Sequence, residues 1–233
     1  MTDLSNNATC SVETSALLNR QLKSFRSVGV FLGPKTVLTN WHCVQGGKTV
    51  VFEAADGQRA NIKRGGVHYK NADLDLALVE LDRPIAPDIA LLPGRTLREI
   101  GQCWLKTRFN NQSGVHPANL ETISLFEFKE QGGIHFNPQT DMPFVSTAKV
   151  QPGYSGSPIF ANDGMTLISV TKSYIPTRTA KAAEEFSRDF FASGCNIKAV
   201  KPEYPFLGVA TLPMMNWLRS IPDQHFNYGL EKR

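Results

Sequence analysis

VGVFLGPKTVLTNWHCV, residues 28–44, holds two short apolar runs, VGVFLG and TVLTNW, separated by Gly33, Pro34 and Lys35. Glycine and proline at that position end a strand and reverse the chain. The stretch therefore reads as two strands, the second stopping at a turn that carries His42. The same pattern continues through TVVFEA, LALVEL, CWLKT, ISLFEF, IHFN and TLISVT, broken at QGGK, DGQ and EQGG. Many short strands at a spacing of roughly ten residues predict an all-β sandwich or barrel. Strands alternating with long helices, the mark of a parallel sheet, are missing.

The Pro-rich stretch 82–96, DRPIAPDIALLPGRT, reads as a connection between halves of similar size. Three segments read as helical. Residues 11–26 form an amphipathic pattern with Ser11 as N-cap and Leu17, Leu18 and Leu22 on one face. Residues 179–192 place Phe186 and Phe190 one turn apart, and MMNWLRSI near the end sets Met215, Trp217 and Leu218 on the body of the protein. The predicted organisation is an N-terminal helical extension over 1–27 followed by one unit over 28–233.

The chain has 233 residues, 41% of them hydrophobic, a formal charge of +4 and a mean hydropathy of −0.23. It can bury a sizeable core, and its basic residues are scattered; the densest group, Lys198 to Lys201, is too thin to predict a nucleic-acid partner. Cys10, Cys43, Cys103 and Cys195 are far apart, which argues against a structural zinc site. GGKT at 46–49 is not a phosphate-binding loop, because the position its first glycine would need is His42. No apolar run of about 18 residues exists, so no membrane span is expected. The start, MTDLSNNATC, lacks a basic region followed by an apolar run. The expectation is a cytoplasmic protein, or one exported without a cleavable signal peptide.

QPGYSGSP, residues 151–158, holds Ser155 between two glycines, either as a nucleophile or as the middle of a tight turn. A serine becomes nucleophilic only beside a base that a third group orients. Of five histidines, His42 has the suitable setting, on a rigid strand end beside a loop. ADLDLALVEL offers Asp73 and Asp75 ahead of an apolar run. Asp75 stands deeper, where an unpaired carboxylate is costly, and Asp73 reads as a solvated loop residue. Gly153 supplies the backbone freedom that would set its own N–H beside that of Ser155 as an oxyanion hole. Gly156 leaves room for a substrate backbone to approach.

These residues carry a family resemblance. LTNWHCV, DLDLALVEL and PGYSGSP resemble the histidine, aspartate and serine boxes of trypsin-like serine proteases of the chymotrypsin superfamily, 33 and then 80 residues apart. Within it the boxes are most similar to bacterial glutamyl endopeptidases and high-temperature-requirement proteases. The resemblance covers nearly the whole chain, leaving out about the first 25 residues and the 175–203 stretch. It implies two six-stranded antiparallel β-barrels, one over about 28–90 and one over about 97–212, with a C-terminal helix over about 213–221. It also implies a serine endopeptidase with His42 as general base and acid, Asp75 as its orienter, Ser155 as the acylated nucleophile, and the N–H groups of Gly153 and Ser155 as oxyanion hole. Such a mechanism acts on protein or peptide substrates and needs no metal or cofactor.

Three departures from the family pattern carry further expectations. The disulfide partners of Cys43 and Cys103 would fall near Ser27 and Ala161, neither a cysteine, so those bridges are absent. Tyr154 replaces the acidic residue that pairs with a newly made amino terminus, so ordinary zymogen activation is not expected; an activating partner at the oxyanion loop or at the 175–203 insertion is one way to order the site. At the substrate pocket, Thr171 stands where glutamyl enzymes carry histidine, and Lys149 and Lys172 are either pocket residues or surface charges. The 175–203 stretch is either a cover for the cleft or a peripheral helix. Two other classes stay open: a catalytically silent protease-fold protein that binds peptides or partners, and an esterase or other acyl hydrolase.

Overall fold

The computed structural model describes residues 7–94, 103–109, 112–120, 137, 139–146, 150, 152–174, 204–222 and 226–227. Its strands close into two six-stranded antiparallel barrels. The first contains β1 (Thr9–Leu18), β2 (Gln21–Gly33), β3 (Thr36–Asn40), β4 (Thr49–Glu53), β5 (Arg59–Asn71) and β6 (Leu76–Leu81), in the spatial order β1-β2-β3-β6-β5-β4. The second contains β7 (Cys103–Phe109), β8 (Gln112–Leu120), β9 (Asp141–Ser146), β10 (Pro158–Phe160), β11 (Leu167–Tyr174) and β12 (Tyr204–Val209), in the order β10-β11-β12-β9-β8-β7. One helical turn, α1 (Trp41–Val44), follows β3, and α2 (Thr211–Ser220) follows β12.

The segment 11–26, expected as a helix, is instead most of β1 and the start of β2, so among the described residues no helical extension precedes the first barrel, whose β1 begins at Thr9. Cys10, Val12 and Thr14 are buried while Glu13 is exposed, a period of two that a strand requires. Asn19 and Arg20, with φ of 50° and 63°, make the two-residue reversal that joins a hairpin. Leu17 and Leu22 suited a helical face, yet they stand opposite each other across the two strands. The C-terminal helix begins two residues before its expected start. The expected helix over 179–192, and the whole of 175–203, lie outside the described residues, as do ISLFEF and all of IHFN but Asn137.

Each barrel encloses its own core. Val12, Phe31, Val37, Phe52, Val79 and Leu81 fill the first, and Leu105, Phe144, Val150, Ile159, Ile168 and Phe206 the second. Phe144 and Phe206 stack at 5.5 Å between ring centroids. A third cluster belongs to neither barrel. Val30, Leu38 and Leu76 from the first meet Phe160, Val170 and Val209 from the second, closed by Met214, Met215 and Leu218 of α2 with Trp217 partly buried beside them. This shared core fixes the two halves against each other. Burying a side chain of this size contributes about 1.5–3 kcal/mol.

The Pro-rich connection is tied to both barrels. Ala90 N–H donates to the Phe31 carbonyl at 2.9 Å, and Leu91 N–H to the Met165 carbonyl at 3.0 Å. The Leu91 carbonyl accepts from Leu167 N–H at 2.8 Å, and Leu92 N–H donates to Asn227 at 2.8 Å. Arg108, buried on β7, reaches across to the Ala54 carbonyl at 2.8 Å.

Candidate active site

His42 sits in α1, the single turn that ends β3. The turn is anchored from below by Thr14, whose hydroxyl donates to the Cys43 carbonyl at 2.6 Å. This leaves the imidazole about half exposed at the mouth of the first barrel.

Asp75 comes from the turn between β5 and β6 and adopts φ of 55°, a left-handed conformation that aspartate tolerates better than most residues. The turn is set by Asn71, whose Oδ1 accepts from Leu74 N–H at 3.0 Å. Both ends of Asp75 are then held by the histidine segment. Its carbonyl accepts from Trp41 N–H at 2.9 Å and from Asn40 Nδ2 at 3.1 Å. Its carboxylate takes His42 N–H on Oδ1 at 2.9 Å and His42 Nδ1 on Oδ2 at 2.6 Å. Asp73, the other carboxylate of that stretch, is exposed.

The pairing has an electrostatic consequence. The hydrogen bond that His42 donates to Asp75, and after it the Cys43 thiol 3.4 Å from Nε2, push the His42 pKa up to about 10, against the opposing effect of burial.

Ser155 lies on the other barrel, in the turn that leads into β10. Gly153 and Gly156 have φ of 100° and 84°, values open to glycine and strained for other residues. The turn is gripped from both sides. From the second barrel, Gly156 N–H donates to the Thr171 carbonyl at 2.9 Å, and Thr171 N–H to the Ser157 carbonyl at 2.8 Å. From the first barrel, Val28 N–H donates to the Ser155 carbonyl at 2.9 Å. Tyr154 packs against the second barrel's core, an apolar anchor for the turn.

The close approach that Gly156 permits is to the protein itself. A Cβ there would collide with the Val28 carbonyl and stand 2.7 Å from Thr39 Oγ1. Thr39 in turn donates to that same Val28 carbonyl at 2.7 Å. A line of hydrogen bonds thus runs from Ser155 through Val28 to Thr39, the neighbour of Asn40 and the aspartate. Sequence reasoning missed Val28, Thr39, Asn40 and Asn71; Thr39 and Asn40 stood in plain view in LTNWH as polar residues in a buried strand.

The structure brings His42 and Asp75 into direct contact. It sets Ser155 across the cleft with no hydrogen bond between its hydroxyl and the imidazole; Nε2 faces Cys43 instead. Of the expected pocket residues, Thr171 is buried beside the serine turn, and its hydroxyl has no partner. Lys172 is paired with the buried Asp141 at 2.8 Å, so its charge is already answered within the protein. Lys149 lies outside the described residues. Cys10, Cys43 and Cys103 are not joined in disulfides. Among the described residues no group of His, Cys, Asp and Glu is arranged to hold a metal ion, and no helix is long and apolar enough to cross a membrane.

Residues 28–167 match the model of the trypsin-like peptidase domain, 140 of the 233 residues. Among solved structures, the chain is similar to the active form of the Rv3671c protease from M. tuberculosis, with a TM-score of 0.63 and 18% identity over 96% of this chain and 84% of that one. It is also similar to the inactive form of the Rv3671c protease, with a TM-score of 0.58 and 16% identity over 93% of this chain and 90% of that one. At such identities the likeness is one of fold. No curated protein matches the chain.

Proposed function

This chain belongs to the trypsin-like peptidase family, and from that premise we propose that it is a serine endopeptidase working through an acyl-enzyme. The observation that carries the reading is the double contact between His42 and Asp75, at Nδ1 and at the backbone N–H. A carboxylate on Nδ1 fixes the imidazole tautomer, leaving Nε2 as the basic nitrogen, and stabilises the imidazolium formed when Nε2 takes a proton.

In this mechanism Ser155 Oγ attacks the scissile carbonyl while its proton passes to His42 Nε2. The tetrahedral oxyanion is held by the N–H groups of Gly153 and Ser155. The C–N bond breaks as Nε2 returns the proton to the leaving amine. Water, deprotonated by the same nitrogen, then attacks the acyl-enzyme ester and releases Ser155. The long contact of Nε2 with Cys43 gives way to the serine hydroxyl as substrate enters the cleft.

Thr171 is the pocket residue with most support, since a buried hydroxyl without a partner is one that a substrate polar group can satisfy. Lys172, whose charge is answered by Asp141, supplies pocket shape rather than charge. Tyr154, packed against the second barrel's core, supports a serine turn ordered without a newly cut amino terminus.

A second reading, a silent protease-fold protein that binds peptides, is favoured by the Nε2 contact with Cys43 in place of Ser155. A fluorophosphonate probe separates the two. Stoichiometric labelling of the wild type, lost in Ser155→Ala and read by intact mass, is the outcome for an endopeptidase. A folded wild type that stays unlabelled would establish the silent one.

A further inference from the structure

The β1–β2 hairpin is longer than the barrel needs. β1 pairs with β4 only from Ser11 to Ser15, and β2 with β3 only from Val30 onward. The tip, with the turn at Asn19 and Arg20, extends past both neighbours as a two-stranded ribbon.

The ribbon is apolar where a soluble surface has least reason to be. Leu17 and Leu22 stand opposite each other on one face and are 59% and 63% exposed. Phe25, opposite Thr14 and so on the other face, is 48% exposed. A single exposed leucine needs no explanation, but a pair in register beside the outermost turn does. A flat protein surface would cover one face of such a ribbon, whereas a fluid medium covers both.

The charges at the tip are of one sign. No carboxylate occurs between Glu13 and Glu53 in the sequence, and Glu13 stands opposite Arg26, which answers it. Arg20 and Lys23 are exposed at the tip. Lys48, whose N–H donates to the Ser15 carbonyl at 2.7 Å, is exposed at the base. A second copy of the chain meeting this tip would bring the same cations face to face, so a dimer through it is disfavoured. Leucines flanked by lysine and arginine instead match an anionic lipid surface. The alkyl groups enter the boundary between headgroups and acyl chains, and the cations reach back to the lipid phosphates. Backbone groups at the ribbon's open edges require water or headgroups, so the ribbon can enter this boundary but cannot cross the hydrocarbon.

We propose that the β1–β2 tip docks the protein peripherally on an anionic lipid bilayer, with Leu17 and Leu22 in the headgroup boundary and Arg20, Lys23 and Lys48 on lipid phosphates. The inference goes beyond the endopeptidase reading and does not depend on it. It does set where the chemistry would take place. From Leu22 to Val28, which holds the serine turn, is about 20 Å of strand, so docking keeps Ser155 close above the lipid.

Cosedimentation of the full chain with two kinds of vesicle tests the proposal, one of phosphatidylcholine alone and one with about one-third phosphatidylglycerol. The wild type should partition about tenfold more strongly onto the anionic vesicles, and the preference should shrink as salt rises. Leu17→Ser combined with Leu22→Ser, and Arg20→Gln combined with Lys23→Gln, should each weaken that binding about tenfold while β-sheet circular dichroism is unchanged. In Leu22→Trp, anionic vesicles should shift the tryptophan emission to the blue by more than they shift that of the wild type. Equal partition onto both vesicles, or none, would overturn the proposal, and in a wild type that labels with fluorophosphonate it would overturn this proposal alone. Undiminished binding by the leucine double variant would assign the attraction to scattered surface charge and overturn it as well. A dimer that Leu22→Asp makes monomeric, without vesicle binding, would give the tip to a second copy of the chain.

Discussion

Val28 N–H and the Ser155 carbonyl are joined by a 2.9 Å hydrogen bond, so the serine turn of the second barrel is held by a strand of the first. Catalysis across a cleft tolerates little play between its parts. The Val28 contact joins the two barrels at Ser155 itself, and Gly156 is the residue that permits it.

Gly156→Ala introduces a Cβ into the Val28 carbonyl at a φ of 84°. We expect the variant to keep its β-sheet circular dichroism but to react with fluorophosphonate about 100-fold more slowly, the loss that a misplacement of about 1 Å brings. Labelling at the wild-type rate would show that the serine turn does not depend on this seat.

Thr39→Val removes the hydroxyl that donates to the Val28 carbonyl in a fully buried position. The cost is about 1–3 kcal/mol of stability, that of a buried acceptor losing a partner. Urea denaturation reads it as a lower midpoint at an unchanged slope.

Asp75→Asn keeps a residue that tolerates the left-handed backbone at φ of 55°, so its β-sheet circular dichroism should match that of the wild type. The carboxylate on His42 Nδ1 is lost, and kcat should fall by about 10⁴. An activity near that of the wild type would mean that another group orients the imidazole.

Protonated His42 cannot accept a proton from Ser155. With its pKa raised from 6.5 to about 10, chiefly by Asp75 and then by Cys43, kcat/KM should climb with pH along a limb displaced above the ordinary histidine range. Cys43→Ala removes one of the raising contacts and should bring that limb down. The same shift makes charged His42 a stabilising group. That contribution is fully present below about pH 6.5 and lost as pH rises through about 10.

The all-β class and the turns that carry His42, Asp75 and Ser155 were legible because each is written in neighbouring residues, while the two six-stranded barrels and the pairing of His42 with Asp75 were implied by the family resemblance. Alternating apolar runs give the strands, glycines mark the turns, and an aspartate before LAL is costly unless paired. Residues 11–26 of the hairpin fit a helix in sequence because Leu17, Leu18 and Leu22 also suit a period of 3.6; the alternation of Cys10, Val12 and Thr14 with polar residues is the contrary signal. The grip of Val28 and Thr39 on the serine turn was out of reach for local reading, since it joins residues 127 positions apart through backbone groups that every residue has. Lys172 was similarly opaque: its partner Asp141 lies 31 residues away on another strand.

The Pro-rich connection between the barrels has a mechanical consequence. Its residues 90–92 bond in turn to Phe31, to Met165 and Leu167, and to Asn227, so neither barrel can swing without breaking contacts that belong to both. A joint of this kind transmits load. Heat applied to such an assembly should melt the two barrels in one calorimetric transition, because the bonds of residues 90–92 belong to both.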